Sequence, residues 1–171
     1  MEIRPLEERD LPFLNMLFND KDIMGYWYEE PFESIEETEN KFQKYLSDES
    51  KRRFVVEADD KQVGIVELVE IDNIANNCEI QVIIYKTYSG HGYAQLAMKL
   101  ATEYAFNSLN LNKVYLYVDV SNEKAIHIYK KIGYQVEGQM REQFFSNGSY
   151  HDSYFMGILK SEFNKKDTNP D

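Results

Sequence analysis

Cys78, Ile80, Val82 and Ile84 alternate with Glu79, Gln81 and Ile83, and this period of two predicts a strand over Cys78–Tyr85. Val114, Leu116 and Val118 repeat the pattern and predict a strand over Lys113–Val120. Phe54–Ala58 and Val63–Ile71 read as two strands turned by Asp59–Gln62. Strands over Tyr134–Gln143 and Tyr150–Leu159 flank Asn147-Gly148, a strong hairpin signal. Other stretches keep helical spacing. Leu11, Leu14 and Phe18, beside Phe13 and Leu17, predict a helix with Asp10 as N-cap. Ser34 starts a second helix, and Glu37 completes its capping box. Gly90–Phe106 reads as a third, with Leu96, Leu100 and Tyr104 on one stripe. Asn122–Lys130 is a short fourth helix ended by Gly133. Asp72–Asn77, with three Asn, reads as a loop. This order predicts an α/β (α+β) fold, a mixed sheet with helices on its faces.

Length agrees with one domain. The chain has 171 residues, 43% of them hydrophobic, enough for a sizeable core. One domain is expected over residues 1–164, with 165–171 as a flexible polar tail. The single cysteine, Cys78, rules out an intrachain disulfide and cysteine-based zinc sites. The opening MEIRPLEERD has no apolar run, and no stretch is long enough to span a membrane, so a cytoplasmic location is expected. Lys and Arg number 19 against 30 Asp and Glu, a net charge of −11. Such a field disfavours nucleic acid and favours cationic small molecules, though it also serves plain solubility.

Two segments carry candidate chemistry. Tyr88-Ser89-Gly90-His91-Gly92-Tyr93-Ala94 joins a predicted strand to a predicted helix. Its small residues let a ligand approach the backbone, and the helix start offers free N–H groups to an anion such as pyrophosphate. Alone, two glycines also fit an ordinary turn. The second segment is Asn122-Glu123-Lys124-Ala125-Ile126-His127-Ile128-Tyr129-Lys130-Lys131-Ile132-Gly133-Tyr134, directly after a strand. On the strand between Cys78 and Ile84, Glu79 and Gln81 share a face, and Glu79 is a candidate for binding an amine and taking its proton. A solvated strand glutamate is the plain alternative. Glu29, Glu30, Glu33, Glu36, Glu37 and Glu39 place six carboxylates in eleven residues, suited to a multiply charged amine or to a solvated helix face. Glu70 shares a strand face with Val66 and Leu68 and needs a partner there. His91, His127 and His151 have no metal-ligand spacing.

Together the two segments resemble the GNAT family of acetyl-CoA-dependent N-acetyltransferases. Gly92 and Ala94 match its pyrophosphate motif, with Ser89 where Gln or Arg is usual. Further segments (Tyr26–Ser34, Arg52–Glu57, Val66–Ile71 and Glu142–Tyr150) resemble the bacterial spermidine/spermine N-acetyltransferases. The resemblance implies acetyl transfer to a terminal polyamine amine by direct attack in a ternary complex, and a dodecamer. It implies an acetyl-CoA site at Val82, Ile83, Ile84, Ser89, Gly90, His91, Gly92, Tyr93, Ala94, Gln95, Asn122, Lys124, Ala125, Tyr129 and Lys131. Tyr129 is then the proton donor to the departing thiolate. Polyamine is implied at Glu79, Ile80 and Gln81 in the substrate site. An allosteric site is implied at Met24, Glu29, Glu37 and Tyr45, the last standing where several relatives have histidine. A magnesium ion is implied at Glu29 and Glu70. The remaining alternatives are another amine acceptor, such as a protein N-terminus or an aminoglycoside, and a sensor that binds CoA or polyamine without turnover.

Overall fold

A computed structural model of the chain describes residues 1–26 and 30–167, the last four of these by backbone alone. Seven strands form one sheet in the order β1-β2-β3-β4-β5-β7-β6. They are β1 (Glu2–Pro5), β2 (Arg52–Ala58), β3 (Lys61–Asp72), β4 (Asn77–Ile84), β5 (Lys113–Asp119), β6 (Gln135–Ser146) and β7 (Ser149–Leu159). Every neighbouring pair is antiparallel except β4–β5. That pair is parallel because α4 (Tyr93–Asn107) carries the chain across between them, the crossover a parallel pair requires.

Alternation along the central strands feeds two cores. Phe54, Val56, Val66, Leu68, Cys78 and Ile80 point to the face covered by α4 and by α5 (Glu123–Ile132). Val55, Ile65 and Ile83 point the other way. There they meet Leu11, Leu14 and Leu17 of α1 (Leu11–Phe18), Met24 of α2 (Lys21–Met24) and Phe42 of α3 (Ile35–Tyr45). Both faces are therefore apolar at the centre, as for a strand sandwiched between helices.

Some expectations shift. Asp10 sits at the start of α1, but its carboxylate caps nothing there. It pairs with Arg4 through two hydrogen bonds of 2.8 Å and also accepts from Glu7 N–H. The predicted stripe of α4 is displaced: Ala97, Met98, Ala101, Thr102, Ala105 and Phe106 are buried, while Leu96 is exposed. Small alanines let the helix lie close to the sheet, which a count of large apolar residues overlooks. β1 and α2 were not expected. Nor was α6 (Lys160–Asp167), which begins right after β7 and runs into the predicted tail. Its Phe163 packs edge-on against Phe106 with ring centroids 5.6 Å apart. Ser34 and Glu37 form the expected capping box, and Asn147-Gly148 turns the β6–β7 hairpin with φ of 50° and 84°.

Candidate active site

The parallel ladder between β4 and β5 is short. It joins Asn77, Cys78 and Glu79 to Lys113, Val114 and Tyr115, and then stops. Beyond it β4 still pairs with β3, and β5 with β7, as far as Ile84 and Asp119. The two strands therefore diverge, and the edge of β4 is left with backbone groups that seek hydrogen bonds. A cleft of about 830 Å³ fills the gap. Val82, Ile83 and Ile84 line one wall, and Tyr117, Val118 and Asp119 the other.

At one end the cleft meets the loop from Ser89 to Gly92 and the start of α4. Gly90 and Gly92 have φ of 86° and 79°, and a Cβ on either would meet nothing within 4 Å. The glycines are needed for backbone conformation, and the space beside them is open to a ligand. Leu96 N–H bonds back to Gly92 O, so the N–H groups of the first turn, at Tyr93, Ala94 and Gln95, precede the helical ladder. This is the geometry of an anion cradle. His91 Nδ1 lies 3.2 Å from the carbonyls of both Tyr88 and Ser89, so it braces the loop as a donor.

The opposite lip comes from α5. Asn122 Oδ1 accepts from Ala125 N–H at 3.1 Å and fixes the helix start. Asn122, Lys124, Ala125 and Tyr129 line the cleft. Burial pushes the Tyr129 hydroxyl up to about 12, so it keeps its proton throughout the neutral range. Its ring packs beside Tyr134 at 6.3 Å, and the Tyr134 hydroxyl is hydrogen-bonded to Thr102 of α4 at 2.7 Å. Tyr129 thus packs beside a ring that α4 fixes in place.

Where β4 and β5 part, Glu79 accepts from Gln81 Nε2 at 2.7 Å. Burial raises the pKa of Glu79; the Gln81 hydrogen bond opposes this, and the charges of Glu70 and Glu67 add to it. The Tyr115 hydroxyl is pushed up to about 12 by burial and by Glu79. The carboxylate, the amide and two tyrosines thus gather on one face at the base of the split.

An acetyltransferase (GNAT) domain model matches residues 1–135. The chain belongs to the GNAT acetyltransferase family. Over 163 residues it is 46% identical to spermidine N(1)-acetyltransferase of Escherichia coli K12, covering 95% of this chain and 88% of that protein. It is 44% identical over 164 residues to the enzyme of the same name from Vibrio cholerae, covering 95% of each. A crystal structure of spermidine N-acetyltransferase from Vibrio cholerae in complex with CoA and spermine superposes with a TM-score of 0.92 at 43% identity, covering 95% of this chain and 97% of that one.

Within this GNAT chain the expected acetyl-CoA residues largely converge. Val82–Ile84, Ser89, Gly90, Gly92, Tyr93, Ala94, Asn122, Lys124, Ala125 and Tyr129 share the one cleft. Gln95 and Lys131 lie beside it, in a shallow groove of about 400 Å³ that also contains Gly92. Ile80 is 2% exposed in the core, which leaves its backbone alone for a ligand. The expected allosteric residues are more scattered in role. Met24 is buried, and Glu37 accepts from Ser34 N–H at 2.7 Å, which holds its carboxyl below the usual range. The Tyr45 hydroxyl accepts from Arg53 N–H at 2.9 Å. Glu29 lies outside the described residues. Glu70 is exposed on a bulge of β3, with φ of 50°, and needs no burial partner. The carboxylate buried on β3 is instead Glu67, 2% exposed and paired with Arg53 at 2.7 Å. Among the described residues no group of three or more His, Cys, Asp or Glu side chains is poised to hold a metal.

Sequence reasoning missed Ile23, Tyr117 and Asp119, which also line the cleft. Tyr117 and Asp119 had a signal: they alternate with the core residues of β5 and so point to its other face. Ile23 had none, because its four-residue helix is too short to show a period.

Proposed function

We propose that this chain transfers the acetyl group of acetyl-CoA to a terminal amine of spermidine or spermine, by direct attack in a ternary complex. Whole-length likeness to spermidine N-acetyltransferases, one of them solved with CoA and spermine, carries the reading. Acetyl-CoA supplies the thioester whose carbonyl carbon the amine attacks. The first turn of α4 holds its pyrophosphate, and the exposed backbone of Val82–Ile84 binds and orients the chain that leads to the thioester. Glu79 attracts the ammonium and takes its proton, directly or through water, since only the neutral amine is a nucleophile. A carboxylate with a raised pKa suits that exchange. Tyr129 gives its hydroxyl proton to the sulfur as the C–S bond breaks, and the second proton shed by the attacking nitrogen returns through water to the tyrosinate, so the product is the neutral amide and the free thiol. The net charge of −11 draws polycations toward the molecule.

The finer expectations belong to the same reading: a cytoplasmic enzyme, assembled as a dodecamer, with a polyamine site near Glu37 and Tyr45. The exposed Phe32, Phe145 and Tyr150 support assembly, because large apolar residues left on the surface of one copy are suited to contact another. The reading is tested by following CoA release from acetyl-CoA with spermine, spermidine, putrescine and an N-terminal peptide as separate acceptors. Turnover with spermidine or spermine and little with the peptide is expected. Turnover with the peptide alone overturns the polyamine substrate. Binding of acetyl-CoA without turnover of any acceptor makes the chain a sensor.

A further inference from the structure

Arg53, Glu67 and Gln81 stand side by side on β2, β3 and β4, in register across the sheet. The first two form a buried ion pair: Arg53 Nε donates to Glu67 Oε2 at 2.7 Å. The Arg53 guanidinium also lies over the rings of Phe18 and Tyr45, at 5.9 and 5.5 Å. Glu67 Oε1 is buried too, and among the described residues it has no hydrogen-bond partner. An orphaned carboxylate oxygen in a protein interior is costly and calls for a reason. Its cross-strand neighbour, Gln81, has a carboxamide with two N–H groups, and one of them is spent on Glu79 at 2.7 Å. Glu79 is the group that receives the acceptor ammonium in the function proposed above, and the inference rests on that reading.

We propose that Glu67 is a positioning residue for the acceptor: its unpaired Oε1 receives the Gln81 carboxamide when an ammonium displaces that carboxamide from Glu79. In the free chain Gln81 covers the carboxylate. When the cation arrives, Gln81 must give way, and directly opposite neighbours on antiparallel strands have Cβ atoms about 5 Å apart, within reach of a side-chain rotation. Arg53 keeps Glu67 in place for this. The orphaned oxygen is then half of a two-position device, satisfied when substrate is bound. The charged groups around Glu79 are Glu67 and Glu70 on β3, with the Tyr115 and Tyr117 hydroxyls on β5. The charge of Glu67 therefore also favours a cation at Glu79.

Glu67→Gln tests the proposal in the full-length enzyme. The amide keeps an oxygen for Arg53 but places an NH2 where Oε1 stood, and that group cannot accept from Gln81. The KM for spermidine should rise about tenfold, with kcat and the KM for acetyl-CoA within twofold of wild type. In a Gln81→Ala background, most of that rise should disappear, because no carboxamide remains to be received. An equal rise in both backgrounds overturns the device and leaves Glu67 a structural residue; so does an unchanged KM. A crystal structure of the wild-type chain with CoA and spermidine tests it independently of any variant. Gln81 Nε2 about 3 Å from Glu67 Oε1 supports the proposal. Gln81 still on Glu79, with water on Glu67 Oε1, overturns it. Wild-type enzyme that turns over no polyamine overturns the proposed function, whereas normal wild-type turnover with an indifferent Glu67→Gln overturns this inference alone.

Discussion

Replacing Tyr129 by Phe removes one oxygen atom from the middle of the cleft and leaves the rest of the side chain in place. The ring still packs 6.3 Å from that of Tyr134, and the backbone carbonyl of residue 129 still accepts from Gly133 and Tyr134 N–H at 3.1 and 3.0 Å. The fold of α5 and the acetyl-CoA site should survive. On the proposed mechanism, what is lost is the proton for the leaving sulfur. A thiol of ordinary pKa near 8.5 leaves poorly as a bare thiolate in a desolvated cleft. General-acid catalysis contributes about 10²–10⁴-fold, so kcat should fall at least about 100-fold, or roughly 2.7 kcal/mol of transition-state stabilisation. Single-turnover quench with spermidine reads that step, and calorimetric titration with CoA reads binding. CoA affinity should stay within about twofold. The pH profile adds an independent check. With its hydroxyl pushed up to about 12, Tyr129 stays protonated, and wild-type kcat should not decline on its account below pH 10 or so. A tyrosine at the reference value of about 10 would already lose its proton there. An unchanged single-turnover rate in Tyr129→Phe, or a loss explained wholly by weaker CoA binding, refutes the role.

Gly92→Ala should cost about 1 kcal/mol of stability from the left-handed φ of 79°, a fall of about 2–4 °C in melting temperature. Its added methyl meets nothing in the free chain, so the larger effect should be on the KM for acetyl-CoA, where ligand and methyl compete for the same space; a pure stability loss would refute the cradle. Asp10→Asn should destabilise the fold by about 2–3 kcal/mol at pH 7, because Arg4 loses its buried counter-charge and keeps Glu57 as its remaining ion pair. Burial opposes ionisation of Asp10, but the hydrogen bonds and charge of Arg4, with those from Glu7 and Gln62, outweigh it and hold the carboxyl below its ordinary value. That contribution is complete above the unfolded value near 3.9 and is lost as pH falls through the folded one. Thermal melts at pH 7 and pH 3 should therefore show the gap between Asp10→Asn and wild type closing on acidification, and a gap that widens would refute the assignment.

Periodicity made the central strands legible because each keeps a strict alternation over several residues. Val114, Leu116 and Val118 are all buried, as read. The capping box at Ser34 and the Asn147-Gly148 turn were legible for a different reason, since a short-range backbone geometry demands those residues. Short elements escaped: β1 and α2 have four residues each, too few for a period. Asp10 was misread because a carboxylate before a helix has two uses, and only the tertiary structure brings Arg4 to it. On β3 two glutamates competed. Glu70 shares the alternation of Val66 and Leu68, but the bulge turns it out to solvent, while Glu67 finds Arg53 and goes inside. A bulge inverts the facing of every residue beyond it, and nothing in the alternation itself announces one.

The three-pair ladder between β4 and β5 also decides how the molecule comes apart. On either side of it the strands are joined by long antiparallel ladders, β1 through β4 in one block and β5 through β7 in the other. The seam between the blocks is stitched by few backbone hydrogen bonds, and local opening follows the lines with fewest. A ligand lying along the split ties one block to the other. Occupying the site and bridging the two halves of the sheet are then the same event, and acetyl-CoA should raise the melting temperature of the protein.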